Sequence, residues 1–195
     1  MQRRNFMLGA ATALVTGSLA AAGCTTTTNE SQTQVTATSR RQVIDDRADA
    51  TMLRLYQTVP DARELIDKAR GVLIFPSVIQ AGAGVGGQHG DGALRVAGSS
   101  VGYYTTTSGS IGAQFGAQSK AIIILFMTQE SLDKFVNSDG WSLGGDASVA
   151  LVKVGANGTV DTTTAPKPVE VFVLTNSGLM GDLSLQGTKI ARLGI

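Results

Sequence analysis

The sequence predicts an α+β domain in which N-terminal helices pack on a strongly curved, mainly antiparallel, glycine-rich β-sheet or a partly closed barrel. Three observations lead to this fold class: a helical repeat of apolar residues after residue 40, short β-branched runs after residue 71, and 24 glycines among 195 residues. Glycine usually makes up about 7 per cent of a chain, and inside strands it marks bulges, sharp coiling or close approach of another backbone. We therefore interpret most of these glycines as sites of sheet curvature.

The predicted helices are recognised by apolar spacing and by their ends. Ser39 is a suitable N-cap for a helix over residues 40–59, and the Pro60–Asp61 pair separates it from a short helix over residues 62–69. A third helix begins after Thr128. The first helix has apolar residues at spacings of four, four, three and four, namely Ile44, Ala48, Met52, Leu55 and Val59.

The predicted strands are short runs rich in β-branched residues. Glycine clusters divide these runs, so each is interpreted as a separate strand of an antiparallel sheet. The runs lie at residues 72–76, 92–96, 101–107, 121–127, 147–154, 169–174 and 183–190.

Residues 1–23 have the composition of a secretory signal peptide. Arg3 and Arg4 precede an apolar stretch that ends in small residues. The stretch is shorter than the about 20 apolar residues of a membrane-spanning helix. The two arginines resemble the twin-arginine signal that exports folded proteins, but ordinary export signals also contain arginine pairs, and both routes stay open.

Cys24 is the only cysteine of the chain, and it follows Ala-Ala-Gly. This resembles a lipobox, in which the cysteine receives a diacylglycerol and becomes the new N-terminus. A single cysteine also has no partner for an internal disulfide. We predict a lipidated Cys24, a flexible polar tether over residues 24–39 and a domain over residues 40–195. The protein is then expected on the periplasmic side of the cell envelope, with the outer membrane favoured because Thr25 follows the cysteine.

Motifs that resemble catalytic or nucleotide-binding sites lack the context that such sites need. The glycines at 82–87 match a dinucleotide-binding fingerprint, but no helix start follows them. Ser100 matches a nucleophile elbow, but a predicted strand follows it, and the only histidine, His89, precedes it. His89 beside Asp91 is best explained by a hydrogen bond in a glycine-rich turn. A lone histidine without an available cysteine cannot form an ordinary zinc site, so we predict no catalytic residue, no metal and no cofactor.

The charge balance argues against nucleic acid as a partner. The formal net charge of the chain is +1, and two of its arginines lie in the predicted signal peptide. General nucleic-acid binding needs a strong basic excess. This composition excludes a strong overall basic excess but still allows a local basic patch.

Four blocks of the sequence resemble, in order and spacing, the SYLF domain family. The resemblance implies a lipid-binding module: eukaryotic members bind phosphoinositides, some bind actin, and membrane contact is attributed to basic residues and an amphipathic helix at the N-terminal end. Bacterial members resemble exported proteins and lipoproteins. Because a periplasm has neither phosphoinositides nor actin, the resemblance implies affinity for acidic phospholipid. The blocks are residues 69–92, 112–126, 144–150 and 178–190.

Basic residues of the predicted helices are the candidate lipid-binding residues. Arginines spaced by seven flank one edge of the apolar stripe of the first helix, where they can reach headgroups while the stripe enters the membrane interface. Alternatively, the stripe packs on the sheet and the arginines pair with carboxylates of the domain. The alternative function is a structural or partner-binding envelope lipoprotein that has no lipid ligand of its own. The candidates are Arg40, Arg41, Arg47, Arg54, Lys68 and Arg70.

The lipidation hypothesis is tested by a single substitution. Changing Cys24 to Ala removes the only thiol that could accept a diacylglycerol, so we expect unprocessed or soluble periplasmic protein. Intact-mass spectrometry of the mature wild-type chain should show the added lipid mass. A mature chain without this mass would contradict the prediction.

Overall fold

The computed structural model of the protein describes residues 30–143, 149–152, 167–175, 178–179 and 187–195. The predicted signal peptide, Cys24 and the first part of the predicted tether lie outside these residues. Within the described part of the chain, no helix combines the length and apolar character needed to cross a membrane.

Three helices occur in the described ranges: α1 (Glu30–Thr58), α2 (Ala62–Lys68) and α3 (Gln129–Val136). The start of α1 differs from the prediction, because the helix begins at Glu30 and Ser39 lies inside it. Residues 30–39, predicted as flexible tether, are therefore helical. Once a helix is nucleated, each further residue adds a backbone hydrogen bond at little cost, and the polar side chains of Gln34, Thr38 and Ser39 are exposed. The predicted cap of α3 is confirmed, since the Ser131 amide donates to Thr128 Oγ1 at 3.2 Å.

The described strands form one seven-stranded sheet. The glycine clusters do not separate strands as predicted: the runs at 72–76 and 92–96 belong to one strand, and those at 101–107 and 121–127 belong mostly to the next. Glycine keeps the strand backbone and only removes side chains, so the pairing continues through the clusters. The strands are β1 (Gly71–Val96), β2 (Ser99–Phe126), β3 (Trp141–Ser142), β4 (Val149–Leu151), β5 (Val169–Thr175), β6 (Gly178–Leu179) and β7 (Lys189–Arg192).

The β1–β2 hairpin organises the sheet. Its two strands pair antiparallel from Gly71–Phe126 to Val96–Ser99, and Ala97 and Gly98 form the turn with φ of 49° and 81°. The free edge of β2 pairs with β7 near the turn and with β5 near the other end. β4 runs parallel to β5, whereas the other pairs are antiparallel.

The hairpin curls so strongly that the two halves of β1 meet. A Cβ atom on Gly92 would lie 2.4 Å from the carbonyl oxygen of Ile74, and one on Gly90 would lie 2.6 Å from that of Ser77. These distances leave no room for a side chain, so the halves touch backbone to backbone. The predicted α+β class with a strongly curved, glycine-rich sheet is confirmed.

Both faces of the sheet are buried around this curl. Alternate residues of β1 separate the two cores: Leu73 and Phe75 point to the inner one, whereas Val72 and Ile74 point to the outer one. The inner core also holds α3 and a group of aromatic rings. The outer core is covered by α1 and α2. The ring group consists of Tyr104, Phe126, Phe135 and Trp141, with centroids 4.7–5.8 Å apart.

The close approach at Gly92 predicts a large penalty for one added methyl group. Gly92→Ala forces the methyl group into the Ile74 carbonyl and the Phe75 ring, and overpacking of this kind costs about 1–3 kcal/mol. Gly109→Ala is the matched control, because a Cβ there has nothing within 4 Å. Urea unfolding of both variants should show the loss only for Gly92→Ala; equal stability of the two would contradict the backbone contact.

Candidate functional site

The apolar stripe of α1 is buried in the outer core. Ile44 is 6% exposed and Ala48 and Leu55 are fully buried, and the stripe packs with Ile74, Ile123 and Phe172 of the sheet. The alternative in which the stripe packs on the sheet is therefore correct, and its entry into a membrane interface is excluded in this fold. Any ligand contact by α1 must come from the two edges of the stripe.

The acidic edge of α1 is bound by the sheet near the hairpin turn. Asp45 accepts hydrogen bonds from Ser100 Oγ at 2.6 Å and from the Tyr103 hydroxyl at 2.7 Å. Asp49 forms an ion pair with Arg95. Burial, and then the hydrogen bond to Asp45, raise the pKa of Tyr103 to about 12. This edge is occupied by structural contacts and presents little free charge.

The basic edge of α1 is only partly bound. Arg40 Nη2 donates to Asp91 Oδ2 at 2.7 Å. For this arginine, the alternative of pairing with a carboxylate of the domain is therefore correct. Arg47 and Arg54 are exposed, and neither has an ion pair within the described ranges. The predicted alignment of the three arginines is thus retained, with one cation held by the domain and two left toward solvent.

His89 lies in β1 and not in a turn, which corrects the prediction for the His89–Asp91 pair. His89 Nε2 is 3.7 Å from Asp91 Oδ1, too far for the predicted hydrogen bond. The two residues point to the same side because strand side chains alternate. Asp91 instead binds Arg40, while the His89 side chain remains 64% exposed.

A groove of about 310 Å³ separates the basic edge of α1 from a bulge in β1. We call it the α1–β1 groove. It contains Arg40, Arg47 and His89 beside two apolar side chains that are unusually exposed, Val43 at 46% and Ile79 at 56%. Val43, Ile79 and His89 were missed as site residues by the sequence analysis. Val43 is an apolar residue on the polar face of the helix, and this could have marked it as a site residue. No local pattern in the sequence places it beside Ile79.

The remaining candidates lie elsewhere. Arg41 lies close enough to Tyr103 for its charge to oppose the rise in that pKa. Lys68 pairs with Glu64 along α2 at 2.7 Å, and the Lys68 ammonium lowers the pKa of that carboxyl. Arg70 lines a separate cleft between α1 and α2, together with Asp49 of the acidic edge. The six predicted residues therefore do not form one site.

The motifs set aside in the sequence have structural roles in the described part of the chain. The glycines at 82–87 lie within β1, so no helix begins at them. Ser100 lies in β2 and donates to Asp45. No cluster of three or more potential metal-ligating side chains occurs within the described ranges.

Comparisons with known proteins match most of the domain. Residues 107–193 match the sequence model of the Ysc84 family, described as "Las17-binding protein actin regulator". The chain is also 27% identical over 168 residues to Beta cell expansion factor A of Aeromonas veronii. That alignment covers 83% of this chain and 60% of the relative, so the chain spans well under the relative's full length.

The Tyr103–Asp45 hydrogen bond predicts an alkaline transition. A folded-state pKa of about 12 exceeds the ordinary tyrosine value of 10.0, so the stabilisation is complete below pH 10 and is lost as pH rises toward 12. Asp45→Asn removes the negative charge and should bring the Tyr103 pKa back toward 10. Ultraviolet titration of the tyrosines measures the change, with Tyr103→Phe as the assignment control. An unchanged titration curve in Asp45→Asn would contradict the contact.

Proposed function

We propose that this chain, which is similar to the Ysc84 (SYLF) family over residues 107–193 and to Beta cell expansion factor A, is a lipid-anchored periplasmic protein that binds anionic phospholipid headgroups. The α1–β1 groove is the proposed binding site. The observation that carries the proposal is Arg47, a cation with no ion pair among the described residues, next to the exposed apolar side chains of Val43 and Ile79.

This combination matches the chemistry of a membrane interface. Full burial of such a side chain gains about 1.5–3 kcal/mol, and Val43 and Ile79 are 46% and 56% exposed, so each forgoes part of this gain in water. At a bilayer surface they can contact the upper acyl chains while Arg47 reaches a phosphate oxygen. Arg54, further along the same edge, adds attraction of about 1 kcal/mol to an anionic surface.

The start of α1 fits an anchor at Cys24. Only five residues separate Cys24 from Glu30, and six fully extended residues span at most about 20 Å. A lipid on Cys24 would therefore hold the N-terminal end of α1 close to the bilayer. Arg47 lies about 25 Å further along the helix at 1.5 Å per residue, so the groove reaches the same surface when α1 lies along it.

A protein partner is the second candidate function. The family description names a protein-binding regulator, and the exposed apolar pair of the groove could also meet a protein surface. In this alternative the lipid anchor localises the protein, and an envelope protein is the ligand. The two functions differ in whether the protein binds lipid vesicles that contain no other protein.

The proposed mechanism is binding without catalysis. The family description states a binding activity and no reaction. Neither a cofactor nor a metal enters the proposal, and the charges of the groove act only by attracting an anion.

Vesicle binding tests the proposal. The chain from residue 24 onward with Cys24→Ser, which has neither an acyl anchor nor the predicted signal peptide, should bind vesicles of phosphatidylglycerol and phosphatidylcholine more tightly than vesicles of phosphatidylcholine alone. Binding should weaken as salt rises. Arg47→Gln with Arg54→Gln should lower the affinity about 20- to 30-fold, since each charge contributes about 1 kcal/mol. Flotation measures the bound fraction.

Two further variants make this test specific. Arg192→Gln removes one exposed arginine from β7 and should change binding little. Val43→Ser with Ile79→Ser should reduce binding even at low salt, because it removes the apolar contact. A folded Arg47→Gln, Arg54→Gln protein that binds as tightly as wild type would refute the groove, and absent binding to every vesicle would favour a protein partner.

A further inference from the structure

A second concave site lies on the opposite edge of α1. It has a volume of about 620 Å³, within the 300–1,000 Å³ of ordinary small-molecule sites. Its walls are one face of α1, one face of α2, the first residues of β1 and the hairpin turn at Ala97 and Gly98. We call it the helix cleft. It shares no lining residue with the α1–β1 groove.

Three guanidinium groups line the helix cleft. The Arg63 guanidinium lies over the Tyr56 ring, 4.1 Å from its centroid, which orients its plane and leaves its donor edge available for a bidentate anion. Arg70 is exposed and has no ion pair in the described part of the chain. Its position is fixed by the backbone, since its amide donates to the Phe126 carbonyl at 2.8 Å.

The third guanidinium, Arg95, is bound to α1 but has an unused donor. Its Nη atoms contact the Asp49 carboxylate and the Asp45 carbonyl. Its Nε atom is buried and has no hydrogen-bond partner among the described residues. A buried donor without a partner is costly, so an acceptor bound in the helix cleft would satisfy a group that the domain itself leaves unsatisfied.

The carboxylates of the helix cleft limit the charge of its ligand. Asp49 is neutralised by Arg95. Asp67 follows Arg63 by four residues on α2 and also lines the cleft. The arginines therefore exceed the carboxylates by one charge, which favours an anion of low charge over a polyanion.

The rest of the lining is apolar. Met52, Ile66 and Val72 belong to or pack against the outer core, and Leu53 lies at the cleft with 58% of its surface exposed. An apolar chain of a ligand would cover this surface while an oxyanion meets the arginines. A charged head alone would leave the apolar wall in water.

We propose that the helix cleft binds a small amphiphilic anion, namely a carboxylate or phosphate head on a single alkyl chain. The site does not depend on vesicle binding by the α1–β1 groove. The arginines hold the head, and the wall formed by Met52, Leu53 and Val72 contacts the chain.

Isothermal titration calorimetry with monomeric amphiphiles tests this site. The chain from residue 24 onward, carrying Cys24→Ser, is titrated with decanoate and with decyl phosphate, each below its micelle concentration, and with inorganic phosphate alone. Decyltrimethylammonium and decyl maltoside are the cationic and neutral controls. We expect saturable binding of the two anionic amphiphiles only, which also shows whether carboxylate or phosphate is the better head.

Two kinds of substitution in the helix cleft provide matched variants: one removes a positive charge and the other removes a negative charge. Arg70→Gln and Arg63→Gln should each weaken decanoate binding about tenfold, and Asp67→Asn should strengthen it several-fold. Arg47→Gln, in the α1–β1 groove, should leave it unchanged, so failure of one site is distinguishable from failure of the other.

The result that overturns the proposal is equally specific. It fails if neither decanoate nor decyl phosphate binds, if folded Arg70→Gln binds the amphiphile as wild type does, or if decyltrimethylammonium binds equally well. Binding of inorganic phosphate as tightly as decyl phosphate would overturn the role of the alkyl chain. Because Arg70 contacts the fold through its backbone, its variant remains informative if Arg63→Gln fails to fold.

Discussion

The backbone contact between the two halves of β1 is the constraint from which the other features follow. Gly90 and Gly92 let the far half of the strand lie directly on the near half, which brings the hairpin turn back to the helices. Arg95 and Tyr103 thereby reach the acidic edge of α1, although they lie some fifty residues away in sequence. Asp91 reaches the basic edge by the same fold-back. Both concave sites are therefore consequences of one close packing that only glycine permits.

Burial on both faces of the sheet decides what α1 is free to do. A helix whose apolar stripe covers the outer core cannot also insert that stripe into lipid without exposing the core, and that exposure would cost several kcal/mol for the residues involved. Its edges differ because the sheet supplies different partners to each. Hydroxyl groups and a guanidinium bind Asp45 and Asp49, whereas Asp91 pairs with Arg40 and no described carboxylate pairs with Arg47 or Arg54. The surplus positive charge at Arg47 and Arg54 results from this unequal pairing, not from composition, which is nearly neutral.

Local patterns were sufficient to predict the parts of the structure that depend on short-range order. The spacing of Ile44, Ala48 and Leu55 predicted a buried helix face, and all three are buried. The same reasoning failed where the outcome depends on distant residues. Glycine clusters were interpreted as strand ends because no local signal shows that a partner strand continues beside them. The six basic residues formed one set along the sequence, but the fold places Arg47 and Arg70 on opposite edges of α1. Likewise, Val43 is a site residue because it lines a groove together with Ile79 of β1, and no local sequence pattern predicts this proximity.

The family model and the two concave sites cover different parts of the chain. Residues 107–193 contain most of β2 and all of β5 and β7, which contribute residues to the cores on the two faces of the sheet. The groove and the cleft are formed mainly by α1, α2 and β1, outside that match. A protein can keep both cores while the edges of its first helix take other charges, because those edges contribute little to either core. On this view the sheet is the scaffold and the edges of α1 determine the ligand, so a binding activity of one relative does not transfer to another without comparing the residues that correspond to Val43, Arg47, Arg63 and Arg70.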